Sequence, residues 1–437
     1  MWERFNRPVP TWFTDAKLGI FVSWGAFSVP AWAEPIGELG TVDDSLFWFT
    51  HNPYAEWYFN TIRIEGSPAA EHHKKFYRDM PYDDLLDLWK AEKFNPDEWA
   101  QLFAYTGAQY VVPLSKHHDG ITLWDAPGTG TRDTVHRGPK RDLMADIATA
   151  VRKVGLRFSV YYSGGLDWSI STYPPITSHE HVSGYRPNDA AYSMYAYEHV
   201  IDLIDRYKPD VLWNDVEWPD FSKREGEYSL AAHFDHYYRV VPHGVVNDRW
   251  GATTHSDFKT SEYQMFADTE SSAVWENCRG IGLTFGYNQV ESEEHSLSVA
   301  TALAHFIDVV SRDGNLLLNV GPTASGEIPE IQRKVLVGIG DWMAINADTI
   351  HGTRAIKELP ASDQPWVRWT SKGKRIFAHV DATGPVEISV PEHFIDESSA
   401  KIFGIGPIAT TRIGEKVSMT LPPTKVVGPT VIEFKKS

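Results

Sequence analysis

Cysteine is almost missing from this chain: among 437 residues there is one, Cys278. A single thiol excludes an intramolecular disulfide framework, and a chain of this length needs none to bury a core. Positive charge is also scarce, with 41 Lys and Arg against 58 Asp and Glu and a formal net charge of −17. Non-specific nucleic-acid affinity rests on basic patches that release counterions, so no nucleic-acid partner is expected and a neutral, hydroxyl-rich ligand fits better. No uninterrupted apolar run reaches membrane-spanning length, and no membrane partner is expected. The amino terminus, MWERFNRPVPTWFTDAKLGIF, has no basic region leading into a long apolar run and no small-residue cleavage pattern, so the expected address is cytoplasmic. A nucleotide loop is missing too: the nearest candidate, GIGLTFG at 280–286, lacks the third-glycine spacing and does not lead from a clear strand into a helix. No cofactor is expected.

What the chain has in quantity is aromatic residues, 13% of the total with 17 Trp, which serve as core or as platforms for sugars and bases. Short β-branched and aromatic runs alternate with helical patterns. Strands are expected at 17–24 (KLGIFVSW), 109–116 (QYVVPLSK), 156–163 (LRFSVYYS), 211–215 (VLWND), 245–246, 259–263 (KTSEY) and 315–320 (NLLLNV). Helices are expected at 52–63, 95–108, 142–154, 189–207, 228–240, 296–311 and 330–347, and 275–288 reads as a loop-rich wall of mixed aromatic residues and glycines. Alternation of this kind calls for parallel strands, and strand ends rich in His, Tyr, Trp, Asp, Glu and Arg match a (β/α)₈-like (TIM-type) barrel better than a doubly wound sheet. After about residue 350 the chain changes to short β-rich runs between Gly, Pro and charged turns, the pattern of an antiparallel β-sandwich. The expected division is a barrel over 1–350 and a C-terminal β-sandwich over 351–437, with packing or a rim as the sandwich's role.

Two carboxylates at separate strand ends are what glycosidic cleavage requires, one to attack or activate water and one to protonate the leaving oxygen. Asp215 and Glu262 form that pair. Glu217 shares the face of Asp215 only if the strand continues, which Pro219 opposes. Asp119, Asp125, Glu270 and Glu291 sit near glycines or in polar loops where capping or solvation accounts for them. His117 and His118 follow one another, so in a strand they would face opposite ways and ligate one metal poorly; no HExxH or paired-Cys spacing accompanies them, and no metal is expected. They hydrogen-bond a polar ligand or sit satisfied in the core. Trp57, Tyr161 and Trp213 are core residues if taken singly and gain weight as a ring of strand-end aromatics. Arg249, after Asn247 and Asp248, either salt-bridges a neighbouring carboxylate or holds the nucleophile and sugar oxygens in register.

The motifs WFTDAKLGIFVSWGAFSVPAW, PYAEWY, KHHDGITLWD, FSVYYSGGLDW, DVLWNDVEWP, VVNDRWG, FKTSEY, RGIGLTFGYN and NLLLNVGP, in this order over roughly residues 1–350, resemble the α-L-fucosidases of glycoside hydrolase family 29. The resemblance implies a (β/α)₈-like catalytic domain with a C-terminal β-sandwich, no metal, and a retaining double displacement on a glycoside bearing terminal α-L-fucose or a related L-sugar. By motif match Asp215 takes the nucleophile's place and Glu262 that of the general acid/base, with sugar contacts at Glu56, Trp57, His117, His118, Tyr161, Trp213 and Arg249. One position departs. Family members usually read GIFIHWG where this chain reads GIFVSWG, so Ser23 stands where a histidine normally lies near the C3 and C4 hydroxyls. L-Fucose has an axial 4-hydroxyl and no 6-hydroxyl; a pocket without its 4-hydroxyl reader is open to L-sugars such as L-glucose, whereas a water in place of the ring nitrogen keeps fucose preferred. A binding protein that kept the pocket and lost the chemistry is the competing class.

Overall fold

The computed structural model describes residues 1–78, 80–265 and 273–437. Eight parallel strands make up the main sheet: β1 (Leu18–Val22), β2 (Tyr110–Lys116), β3 (Val160–Ser163), β4 (Val211–Asp215), β5 (Val245–Val246), β6 (Lys259–Glu262), β7 (Trp275–Gly280) and β8 (Asn315–Val320). Their lateral order is β5-β4-β3-β2-β1-β8-β7-β6, the sequential order of a (β/α)₈ barrel with β5 and β6 as the two ends of the ladder. A short pair, Arg157–Phe158, leads into β3 and also binds β2. The outer helices are α1 (Pro96–Thr106), α2 (Leu143–Lys153), α3 (Ala190–Tyr207), α4 (Leu230–Val240), α5 (Val299–Ser311) and α6 (Glu330–Asn346).

Period-two alternation divides the strand side chains between two cores. Ile20, Val111, Val160, Leu212, Val246 and Leu318 face the helices. Phe21, Val112, Leu114, Tyr161, Trp213, Cys278 and Leu317 fill the barrel interior. Helix starts are fixed by side-chain caps: Asn95 accepts from Glu98 N with Pro96 at the first turn, Asp142 from Ala145 N, and Ser298 from Thr301 N.

Two expectations change. Residues 275–280 are a strand, buried along their whole length, rather than part of a loop wall. The sequence WENCRG hides it because Glu276 and Cys278 occupy the inward positions that apolar residues usually fill. Residues 52–63 are two short turns, Ala55–Trp57 and Tyr58–Thr61, because Asn52 spends its side chain on Tyr54 N instead of capping a longer helix.

The antiparallel part comprises β9 (Trp366–Lys372), β10 (Arg375–Asp381), β11 (Gly384–Ser389), β12 (Ile395–Ile402), β13 (Thr410–Ile413), β14 (Lys416–Leu421) and β15 (Thr430–Lys436). One sheet runs β9-β10-β15-β12, with the two-residue strands Ser362–Asp363 and Gly406–Pro407 at its edges, and the other runs β11-β14-β13. Phe377 and Val431 join the apolar cluster that also holds Trp342 of α6. Arg368 pairs with Asp308 of α5, and Trp342 Nε1 donates to Pro429 O at 2.9 Å.

Candidate active site

The strands are parallel and so end at one rim, where a pocket collects Asp215 and Glu262 from the ends of β4 and β6. Its walls include Ser23, Glu56, Trp57, His117, His118, Tyr161, Trp213, Asp215, Arg249 and Glu262, together with Tyr54, Cys278 and Phe285. All ten residues singled out in the sequence therefore meet in one cavity.

At its centre is a three-sided clamp. Arg249 Nη1 donates to Asp215 Oδ1 at 2.9 Å and Nη2 donates to Glu262 Oε2 at 3.0 Å. The guanidinium lies over the Trp213 ring, 4.7 Å from its centroid, a cation–π seat that suits a planar, weakly hydrated cation. Burial works against its charge, but Asp215 and Glu262 outweigh burial and hold it above the ordinary arginine range. The free oxygens of the two carboxylates have their own donors: Tyr161 Oη donates to Asp215 Oδ2 at 2.8 Å, and Tyr54 Oη donates to Glu262 Oε1 at 3.0 Å. Burial first, and then the adjacent carboxylate, raise both phenols well above the usual tyrosine value, so both stay protonated donors.

The chain turns sharply after Asp215. Val216 and Glu217 take left-handed φ of 55° and 68°. Asn214, fully buried on the opposite face, holds this turn by donating from Nδ2 to Glu217 O at 2.9 Å and to Arg249 O at 2.8 Å. Asn247 closes the arrangement by accepting from Asn214 N and donating to Asn214 O. Glu217 is thereby turned away and pairs with Lys223 at 2.6 Å and Arg186 at 3.5 Å.

His117 and His118 lie just beyond the end of β2, so the alternation of a strand no longer separates them and both face the pocket. Burial holds both rings well below the usual histidine value, hence neutral. Ser163 donates its proton to Leu166 O, so it accepts from His118 Nδ1 at 2.6 Å. A neutral His118 then turns a bare Nε2, an acceptor, into the pocket, 3.8 Å from Asp215 Oδ2. Glu56 accepts from Gly286 N at 2.8 Å and Thr284 Oγ1 at 3.0 Å, yet burial pushes its carboxyl up to about 7. Ser23 Oγ donates to Asn319 Oδ1 at 2.7 Å, and Asn319 Nδ2 donates to Phe285 O at 2.6 Å.

The lesser carboxylates lie elsewhere. Asp119 is buried and bonded to Tyr82 Oη and Ile121 N. Asp125 is exposed beside His136, and Glu291 caps Leu283 N. Glu270 falls outside the described residues. Among those residues the group of His, Cys, Asp and Glu side chains close enough to share a metal is Asp125, Asp133 and His136, away from the pocket. Two functional neighbours escaped the sequence reading. Tyr54 sits in a loop whose only signal is its place in PYAEWY. Glu276, on the unrecognised β7, accepts from Trp213 Nε1 at 2.9 Å and from Tyr110 Oη, and its burial raises it to about 7.

The family model for α-L-fucosidase matches residues 1–348. The chain belongs to the α-L-fucosidase family. That family, glycoside hydrolase family 29, makes it a glycoside hydrolase of the α-L-fucosidase type. Tissue α-L-fucosidase of Bos taurus is 32% identical over 85% of this chain and 75% of its own length. The Homo sapiens tissue enzyme is 30% identical over 92% of this chain and 82% of its own. A Thermotoga maritima α-fucosidase solved in complex with fucose is 42% identical, with a TM-score of 0.87 over 98% of this chain and 97% of that one. The similarity to this α-L-fucosidase structure thus runs through the antiparallel sheets as well as the barrel.

Proposed function

We propose that the enzyme removes terminal α-L-fucose with retention of configuration, Asp215 acting as nucleophile and Glu262 as general acid and then general base. The observation that carries this reading is Arg249 bonded to both carboxylates over the Trp213 face. A retaining reaction needs its two carboxyls about 5–5.5 Å apart, close enough for direct attack without an intervening water. In the first step Asp215 attacks the anomeric carbon while Glu262 protonates the departing oxygen. In the second, Glu262 takes a proton from water, and the water oxygen displaces Asp215 from the glycosyl-enzyme. Tyr161 and Arg249 share the charge on Asp215 until it attacks. Glu56, Trp57, His117, His118, Tyr161, Trp213 and Arg249 line the sugar site, and the bare Nε2 of His118 suits a sugar hydroxyl as its donor. Fucose bound to the Thermotoga maritima enzyme supports the choice of sugar.

Ser23 favours a broader second reading, an α-L-glycosidase that also accepts L-sugars with other C4 configurations. Its one proton is committed to Asn319, so it offers the pocket lone pairs on a short side chain. Polar readout is the strong source of sugar discrimination, and a hydroxyl that only accepts reads less than an imidazole. The domain division enters the proposal too: residues 1–350 carry the chemistry and 351–437 pack against them. A cytoplasmic address is proposed with it, compatible with the one free, buried thiol, Cys278.

The test is hydrolysis of aryl α-L-fucoside, α-L-galactoside, α-L-glucoside and α-L-rhamnoside by the enzyme and two variants. Fucoside turnover is expected to disappear in Asp215→Ala, and Glu262→Ala is expected to be slow and partly rescued by azide. Near wild-type rates in either variant assign the chemistry elsewhere. Binding of the glycosides without aglycone release supports the non-catalytic class, and comparable rates on fucoside and glucoside support the broader reading.

A further inference from the structure

The strand ladder runs unbroken from β5 around to β6 and does not pair those two strands with each other. Glu262 belongs to β6, and Asp215 to β4, the neighbour of β5. Among the described residues this is the join without a strand ladder, so at its rim, where the carboxylates lie, the ~4.8 Å spacing of paired strands sets no distance. Something else must set it.

Two groups of contacts cross the join. Deep in the barrel wall Asp257 N donates to Val246 O at 2.9 Å, and Asp257 Oδ2 accepts from Val246 N at 2.9 Å. At the rim Thr260 crosses beside the Arg249–Glu262 bond. Its backbone N–H donates to Asp248 Oδ1 at 3.1 Å, its hydroxyl donates to the same oxygen at 2.7 Å, and its hydroxyl oxygen accepts from Arg249 Nε at 3.0 Å. Because Asp248 takes the hydroxyl's only proton, the lone pairs of Thr260 are turned towards Arg249.

We propose that Thr260, polarised by Asp248, is a positioning residue that fixes the plane of the Arg249 guanidinium and through it the separation of Asp215 and Glu262. The guanidinium is a rigid fork, and three of its N–H groups point at three residues on two strands: Nε at Thr260 and Nη2 at Glu262, both of β6, and Nη1 at Asp215 of β4. With the Nε bond in place, the plane is defined by three points. Without it, the plane rests on the two carboxylate bonds and the Trp213 face alone, and a tilt of the guanidinium shifts the two Nη atoms and the carboxylate oxygens bonded to them. Thr260 does not line the pocket, so it acts on the sugar only through Arg249. The inference rests on the reading that Asp215 and Glu262 are the reacting pair.

Thr260→Val tests it, since the side chain keeps its shape and its preference for a strand while losing the hydroxyl; Thr260→Ser restores the hydroxyl. Both are compared with the wild-type enzyme in kcat and KM on 4-nitrophenyl and phenyl α-L-fucosides, in fucose binding followed by tryptophan fluorescence, and in Tm. A misplacement near 1 Å is enough to cost on the order of 100-fold in rate, so Thr260→Val is expected to lose about 10- to 100-fold in kcat while KM and fucose affinity stay within about threefold. The loss is expected to be larger for phenyl than for 4-nitrophenyl fucoside, because the poorer leaving group depends more on protonation by Glu262. Thr260→Ser is expected to recover most of the rate. Unchanged kcat in Thr260→Val overturns the proposal, as does a loss that is equal for both leaving groups, that Thr260→Ser shares, or that follows a fall in Tm. If Asp215→Ala hydrolyses the fucosides as well as the wild-type enzyme, the underlying reading fails and this inference falls with it. An Asp215-dependent enzyme indifferent to Thr260→Val removes the Thr260 assignment alone.

Discussion

Glu276 is a carboxyl fully buried in the barrel, and its neighbours are an indole and a phenol. Its folded value of about 7 lies above the ordinary 4.5, with burial as the leading cause. The sign follows from proton counting. Between these values the unfolded chain has lost the proton and the folded chain still holds it, so this contribution to stability is complete below about pH 4.5 and disappears as the pH rises through about 7. Glu276→Gln removes the titration, and the difference between wild-type and variant unfolding free energies is expected to change by on the order of 3 kcal/mol across that window. Urea unfolding at pH 4.5, 6 and 8 measures it; a difference that stays constant with pH contradicts the expectation. Glu56, raised to about 7 in the same way, titrates in both proteins and cancels from the comparison.

At the scale of the element, what matters is how strands stop. β4 ends at Asp215 because the next two residues leave extended space altogether, and left-handed backbone costs an L-residue roughly 1–2 kcal/mol. Gly165 makes room for that turn: a Cβ built on it would stand 1.7 Å from Val216 O, while its own N–H donates to Asp215 O at 3.2 Å. Gly165→Ala is therefore expected to displace the strand end that carries Asp215 and to lower kcat by at least about 10-fold, more than fucose affinity falls. Steady-state kinetics beside fucose titration checks this, and a variant of normal kcat contradicts it. The sequence showed where β1, β2, β4 and β8 lie because apolar runs mark them, and it showed Asp215 because a carboxylate closes such a run. It hid β7, whose inward residues are Glu276 and Cys278, and it hid much of β12 to β14, where solvent-facing polar residues interrupt the pattern. Both histidines can face the pocket because they lie one and two residues past Lys116, where β2 and its alternation end, a boundary that residue type alone does not mark. Glu217 was resolved only by the left-handed turn, which no residue type in DVEWP announces.

For the whole molecule, the barrel and the antiparallel sheets share a core rather than a surface. Phe377 and Val431 are continuous with the cluster containing Trp342, and the Arg368–Asp308 pair is largely withdrawn from water. Separating the two parts would expose apolar area and leave a buried ion pair without its partner, a penalty of several kcal/mol. One unfolding transition is expected, coincident by far-ultraviolet circular dichroism, tryptophan fluorescence and calorimetry. Two resolved transitions would show that the sheets melt independently of the barrel. A fully laced barrel has a girth dictated by its strand number and stagger. With the rim of one join left to side chains, the girth at the mouth becomes adjustable by exchanging a few rim residues, so descendants of this fold have a route to new spacings between the reacting groups that leaves the core sequence untouched.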